Sequence, residues 1–208
     1  MRTIYLARHG QSVANAMRRF QGHQDVPLSD LGRRQAMALS AGLRMRRVAH
    51  VYASPLARAR HTAEIVAAEH GVPLTLVEDL RELSLGDWEG LTVDEIRALP
   101  GDPYSCWVRD PVAGCPPGGE ALPLLQARVL KAVDVIAAAH PNGEDVLAVC
   151  HGGVISAYLA HCLGLRLSSI WRLSVANGSL SAVAPPRVLS VNDTWHLADL
   201  ESARSPSP

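Results

Sequence analysis

Short apolar runs alternate along this chain with segments of helical periodicity, and that alternation narrows the fold more than any other feature. The clearest run is 146–150, followed at once by Gly152-Gly153 and an apolar segment to about Leu163. Residues 3–7, 48–53 and 74–77 form similar runs. Each has the length of a strand buried on both faces. Between them, residues 28–46 open on Ser29 as a cap and continue with Leu31, Ala36, Leu39 and Leu43 at helical spacing. A second helix is predicted from Pro55, as a first-turn proline, to about His70. Residues 92–99 carry Thr92 and Glu95 as a capping pair, and 124–140 carry long helical patterning. Strands alternating with helices predict an α/β fold, a three-layer α/β/α sandwich with a mostly parallel central sheet.

Two further signals complete the expected organisation. Residues 100–123 hold six of the 14 prolines and four glycines and read as a loop or lid within one domain spanning 1–201. Asn177-Gly178 reads as the turn of a hairpin between two strands in 170–184, with a last strand at 188–191 and a mobile tail at 202–208. Lys plus Arg is 20 and Asp plus Glu is 20. That balance argues against nucleic-acid or membrane-surface binding by bulk charge. The four cysteines form no C-x-x-C pair, and no apolar stretch reaches the length of a membrane helix. The expectation is a cytoplasmic protein.

The chemistry gathers at strand ends, where open α/β sheets bind ligands. The first strand ends in Arg8-His9-Gly10, the second in Ser54-Pro55-Leu56 with Arg58 one turn later, and the third leads to Arg81-Glu82. The 146–150 strand ends in His151-Gly152-Gly153. Two arginines suit a dianionic oxyanion such as phosphate. A neutral histidine can attack phosphorus, and a carboxylic acid can protonate the departing oxygen. With the charge of the transferring group held by arginines and an imidazolium, no metal is required. Each residue also has an ordinary structural reading, as a turn glycine, a surface arginine or a buried histidine. Zinc ligation by His9 and His151 is the other chemical option, but the neighbouring arginine opposes a cation and no H-E-x-x-H spacing occurs. His50, His70, His140 and His161 read as surface or helix-end residues. The four tryptophans read as core, with Trp107 either core or substrate contact. Arg18, Arg19 and Arg109 are candidates for a second anion near the mouth. The P-loop, thiol-phosphatase loop, D-x-D pair and G-x-S-x-G elbow are all missing.

These residues resemble the histidine phosphatase superfamily, also called phosphoglycerate mutase-like. The likeness runs through residues 6–12 with Asn15, 28–32, 54–59 with Thr62 and Ala63, Arg81-Glu82 with 86–90, 117–120, 151–153 and 177–179, in the expected order. It implies that His9 is the phosphorylated nucleophile, with Arg8, Arg58 and His151 as the phosphate pocket. Glu82 would be the proton donor and later the base. Ser12, Asn15, Gln21, Gly22 and Gly152 would lie near the phosphate or its attached group, and Gly10 and Gly152 would let the backbone approach it. No cofactor is implied, and a homodimer is an option that only the resemblance raises. The implied activity is metal-independent hydrolysis of small phosphorylated metabolites, of the sugar phosphate, phosphoglycerate or α-ribazole phosphate type. A cofactor-dependent phosphoglycerate mutase and a non-catalytic scaffold are the alternatives. The short segment after Glu82 resembles the phosphatase branch.

Overall fold

Successive residues of the first strand point to opposite layers, which is what a strand covered on both faces requires. In the computed structural model, which describes residues 3–200, Ile4 and Leu6 join one apolar cluster while Tyr5 and Ala7 join another. The expected tail at 202–208 lies outside the described residues. In chain order the elements are β1 (Ile4–Arg8), α1 (Val13–Ala16), α2 (Asp30–Leu43), β2 (Val48–Ala53), α3 (Ala57–His70), β3 (Leu74–Leu76), α4 (Val93–Arg97), α5 (Pro103–Arg109), α6 (Leu122–Ala138), β4 (Asp145–Cys150), α7 (Gly152–Cys162), β5 (Leu180–Ala184) and β6 (Arg187–Asp193). The sheet order is β3-β2-β4-β1-β5-β6. Leu39 and Leu43 of α2 and Ala63 and Val66 of α3 cover one face. Leu125 and Val129 of α6 and Ile155 and Leu159 of α7 cover the other. The three-layer α/β/α sandwich is therefore present. Its sheet is parallel from β3 through β1, and antiparallel where β5 pairs with β1 and β6 with β5.

Register sets the site. Arg8 lies opposite Cys150 and Ala53 opposite Val149. The residues that follow, His9, His151 and Ser54, therefore emerge side by side at the carboxyl ends of three adjacent parallel strands. The ladder continues past the strands, with His9 N–H donating to the Cys150 carbonyl at 3.0 Å and Ser54 N–H to the Val149 carbonyl at 3.0 Å.

Four expectations need correction. Pro55 does not begin a helix: Leu56 is the extended N-cap of α3, because the β2 ladder carries on through Ser54 before the chain turns. No hairpin forms at Asn177-Gly178. Gly178 N–H instead bonds the Arg8 and His9 carbonyls at 3.1 and 3.0 Å, so this turn ties the end of β1. Residues Leu167–Arg172 form a 3-10 turn, not a strand, and the hairpin is β5–β6. The 100–123 segment is not all loop either. It contains α5, started by Asp102, whose side chain accepts from Ser105 N–H at 3.0 Å. Buried Trp107 anchors it against Trp88 and Trp171, with ring centroids 5.6 and 4.9 Å away. Trp195, read as core, is 62% exposed. Among the described residues no helix is long and apolar enough to cross a membrane.

Candidate active site

Four of the expected residues surround one point. His9 is 2% exposed, His151 0% and Arg58 1%. The two imidazoles meet edge to face with centroids 5.1 Å apart. His9 Nδ1 lies 2.7 Å from the Gly10 carbonyl. A carbonyl only accepts, so Nδ1 carries the proton and Nε2 keeps its lone pair. His151 Nε2 pairs with Ser54 Oγ at 2.8 Å, and its Nδ1 is buried without a hydrogen bond. Arg58 donates to the Gln24 and Gly22 carbonyls, each at 2.8 Å, while its buried Nε has no partner. Arg8 Nη1 is fixed by the Val175 carbonyl at 2.6 Å. Buried donors without partners beside a second guanidinium are an arrangement that an oxyanion satisfies.

Burial and then Arg58 and Arg8 hold His9 well below its ordinary 6.5, against an opposing pull from the Gly10 carbonyl. His151 is held down by burial, Arg58, His9, Arg8 and Arg128. Burial, reinforced by Arg8, lowers Arg58 to about 10 despite Glu82, Asp25 and Glu89. It is still a cation at neutral pH. A neutral imidazole flanked by permanent cations can act as a nucleophile in a field that favours an approaching anion.

Glu82 arrives on the loop after β3 and closes the ring. Its Oε1 accepts from Leu83 N–H at 2.9 Å and its Oε2 from Gly153 N–H at 3.2 Å, in the first turn of α7. The Glu82 carbonyl accepts from His23 Nε2 at 2.8 Å and Arg128 Nη2 at 2.9 Å. Arg128, on α6, also donates to the carbonyls of Asp79 and Arg81 and forms a fork with both oxygens of Glu120 at 2.7 and 2.8 Å. One half-buried guanidinium thus grips three carbonyls of the loop that carries Glu82. Neither Arg128 nor His23 stood out in the sequence. The signal for Arg128 was present, as a charge set between Leu125 and Val129 on the apolar face of α6.

The expected substrate contacts divide. Asn15, Gln21, Gly22 and Gly152 line the cleft. Ser12 does not. It is fully buried and caps α1; its hydroxyl donates to Gln21 Oε1 at 2.6 Å and its backbone N–H to Asn15 Oδ1 at 3.1 Å. Ser12 therefore orients those amides and leaves their NH2 groups for the cleft. Gly10 is small for a different reason than expected: a Cβ there would strike the Gly32 carbonyl, so it lets β1 and α2 approach each other. Arg19 lines the cleft but is tied to Glu95 at 2.9 Å and to the Gly90 carbonyl at 2.6 Å. Arg18 and Arg109 are not on its walls. The cleft has a volume of about 460 Å³ and opens between α5 and the 171–175 segment.

Fold and site together define an α/β protein with a buried imidazole beside two guanidinium groups at the carboxyl ends of its parallel strands. The chain belongs to the histidine phosphatase superfamily (branch 1), whose family model matches residues 4–194. It is 37% identical over 191 residues to the glucosyl-3-phosphoglycerate phosphatase of Mycolicibacterium vanbaalenii, covering 88% of this chain and 83% of that protein. It is 31% identical over 198 residues to the adenosylcobalamin/alpha-ribazole phosphatase of Salmonella typhimurium, covering 92% and 98%. Among solved structures, Bacillus stearothermophilus YhfR superposes with a TM-score of 0.88 at 37% identity, covering 95% of this chain and all of that one. A mycobacterial glucosyl-3-phosphoglycerate phosphatase complexed with VO3 superposes at 0.86 and 32% identity, covering 93% and 100%.

Proposed function

We propose that this protein hydrolyses small phosphomonoesters through a phosphohistidine at His9, without a metal. The observation that carries this is His9 itself, buried, with its proton placed on Nδ1 by the Gly10 carbonyl and its Nε2 free, beside Arg8, Arg58 and His151. In the first half, the Nε2 lone pair forms a bond to phosphorus as the ester P–O bond breaks. Glu82, as the acid, gives its proton to the leaving alkoxide. In the second half, Glu82 as carboxylate takes a proton from water as the water oxygen attacks phosphorus. The N–P bond breaks, and neutral His9 and inorganic phosphate result. Arg8, Arg58 and the His151 Nδ1 edge hold the equatorial oxygens, where the charge of a loose transition state resides. Asn15 and Gln21 add amide donors oriented by Ser12. Four unpaired cysteines support a reducing, cytoplasmic setting for this chemistry.

The test is turnover of p-nitrophenyl phosphate in the presence of a chelator, followed by acid-labile, base-stable labelling of His9 in quenched reactions. Full activity with chelator and label at His9 are the expected results. Activity abolished by chelator, or turnover with His9 never labelled, would overturn the mechanism.

A further inference from the structure

Beyond the phosphate bed the cleft changes character. Its outer walls are Phe20, Tyr104, Trp107, Val108, Trp171 and Leu173, drawn from three separate stretches of the chain. The aromatic rings form a continuous chain. Phe20 and Tyr104 lie 6.1 Å apart, Tyr104 and Trp107 6.4 Å, and Trp107 and Trp171 4.9 Å. The chain is rooted in the core, because Trp107 is 6% exposed and packs edge-on against fully packed Trp88. These rings are held by one another before any ligand arrives, so a ligand does not bear the entropy of ordering them.

The polar groups on the same walls are few. Arg19 is already committed to Glu95 and Gly90. Among the described residues Arg172 makes no ion pair, and it stands with Ser156, Ser174, the Tyr104 hydroxyl and Trp171 Nε1, which is buried without a hydrogen bond, as the remaining polar lining of these walls. A sugar or glycerate placed here would set several hydroxyls against ring faces, where the Tyr104 hydroxyl and the Trp171 Nε1 donor are too few to pair them all, and that desolvation is unfavourable. A flat apolar body gains on both counts, by area removed from water and by ring-on-ring contact. We infer that the outer cleft is a leaving-group subsite for phosphomonoesters of alcohols that carry a planar, apolar or aromatic body, in preference to polyhydroxylated or carboxylated ones. The inference rests on the phosphatase reading and refines its substrate class.

The test compares esters of unactivated primary alcohols, so that leaving-group chemistry contributes little. For the intact protein, kcat/KM for 2-phenylethyl phosphate is expected to exceed that for ethyl phosphate and for glycerol 1-phosphate by about 10- to 100-fold. Trp171→Ala, and independently Phe20→Ala should the first not fold, are expected to bring the 2-phenylethyl to ethyl ratio down at least fivefold. Each ratio is read within one protein, so a general loss of activity cancels. Binding of 2-phenylethylphosphonate, which cannot be hydrolysed, is expected to be tighter than that of ethylphosphonate by a similar factor. A ratio near one with ethyl phosphate turned over normally would overturn the subsite and leave the phosphatase reading standing. So would glycerol 1-phosphate or 3-phosphoglycerate outperforming the phenylethyl ester, with that advantage lost in Arg172→Ala. Absence of turnover on every ester would instead overturn the phosphatase reading, and the subsite with it.

Discussion

Gly153→Ala separates the acid's position from the fold's stability. Gly153 is the second residue of α7, and its N–H donates to Glu82 Oε2 at 3.2 Å. A Cβ added there would lie 2.5 Å from Glu82 Oε1, whereas ordinary contacts begin near 3.4 Å. Glu82 Cδ is at 3.4 Å, and the next residue, Leu125, is at a comfortable 3.7 Å from its Cδ2. The carboxylate is the far end of a flexible side chain, so it retreats by about 0.9 Å and the helix stays where it is. A displacement of about 1 Å in a catalytic group costs on the order of 10²-fold in rate. An alanine inside a helix is favoured over glycine by up to about 1 kcal/mol. The expected variant is therefore as stable as the parent or more so. Its kcat/KM for ethyl phosphate falls roughly 10²-fold, while that for p-nitrophenyl phosphate falls far less, since a good leaving group needs little protonation. Thermal melts and the two kcat/KM values measure this. Equal losses on both substrates, or a melting temperature lowered by several degrees, would refute the placement of Glu82 as the acid against α7.

Further outcomes follow from the same geometry. His9→Ala removes the proposed nucleophile and is expected to lower kcat by at least ~10³-fold with no labelled intermediate in quenched turnover. Arg128→Lys replaces a fork that holds three carbonyls and Glu120 with a single ammonium group. It is expected to lose about 2–3 kcal/mol of stability in urea melts, and its alkyl-to-aryl kcat/KM ratio should fall, because the Glu82 loop loosens; an unchanged ratio would make Arg128 purely structural. His9 and His151 titrate near 6.5 in the unfolded chain and are held well below that when folded. The unfolded state therefore takes up more protons as pH falls, so their contribution is complete above about 6.5 and declines below it. Urea midpoints at pH 8, 6 and 5 should show the decline, and His9→Gln should flatten it; an equally steep decline in that variant would refute the assignment.

Much of the site was legible because its signals are local. A strand end announces itself by an apolar run that stops at a polar or glycine residue. Ser54 and His151 sit directly after such a run and His9 one residue beyond it, after Arg8, and parallel register then brings them together. The hairpin expected at Asn177-Gly178 failed because turn chemistry is also what a loop needs to bond a strand end, and only the partner, the Arg8 and His9 carbonyls, distinguishes the two uses. Helix α5 was hidden by the prolines around it, although Pro103 in its first turn is a helix-compatible position.

The order of apolar runs, turns and caps sufficed to determine the layered fold and to deliver two imidazoles, two guanidiniums and a carboxylate to one sheet edge. Only tertiary structure decided that Ser12 supports Asn15 and Gln21 from behind, that Arg128 holds the loop of Glu82 from a helix far along the chain, and that aromatic rings from distant segments form one wall. The physical reason is range. Periodicity and capping act over a few residues, whereas hydrogen bonds to backbone carbonyls and ring contacts depend on which distant surfaces the packed layers bring within a few ångströms.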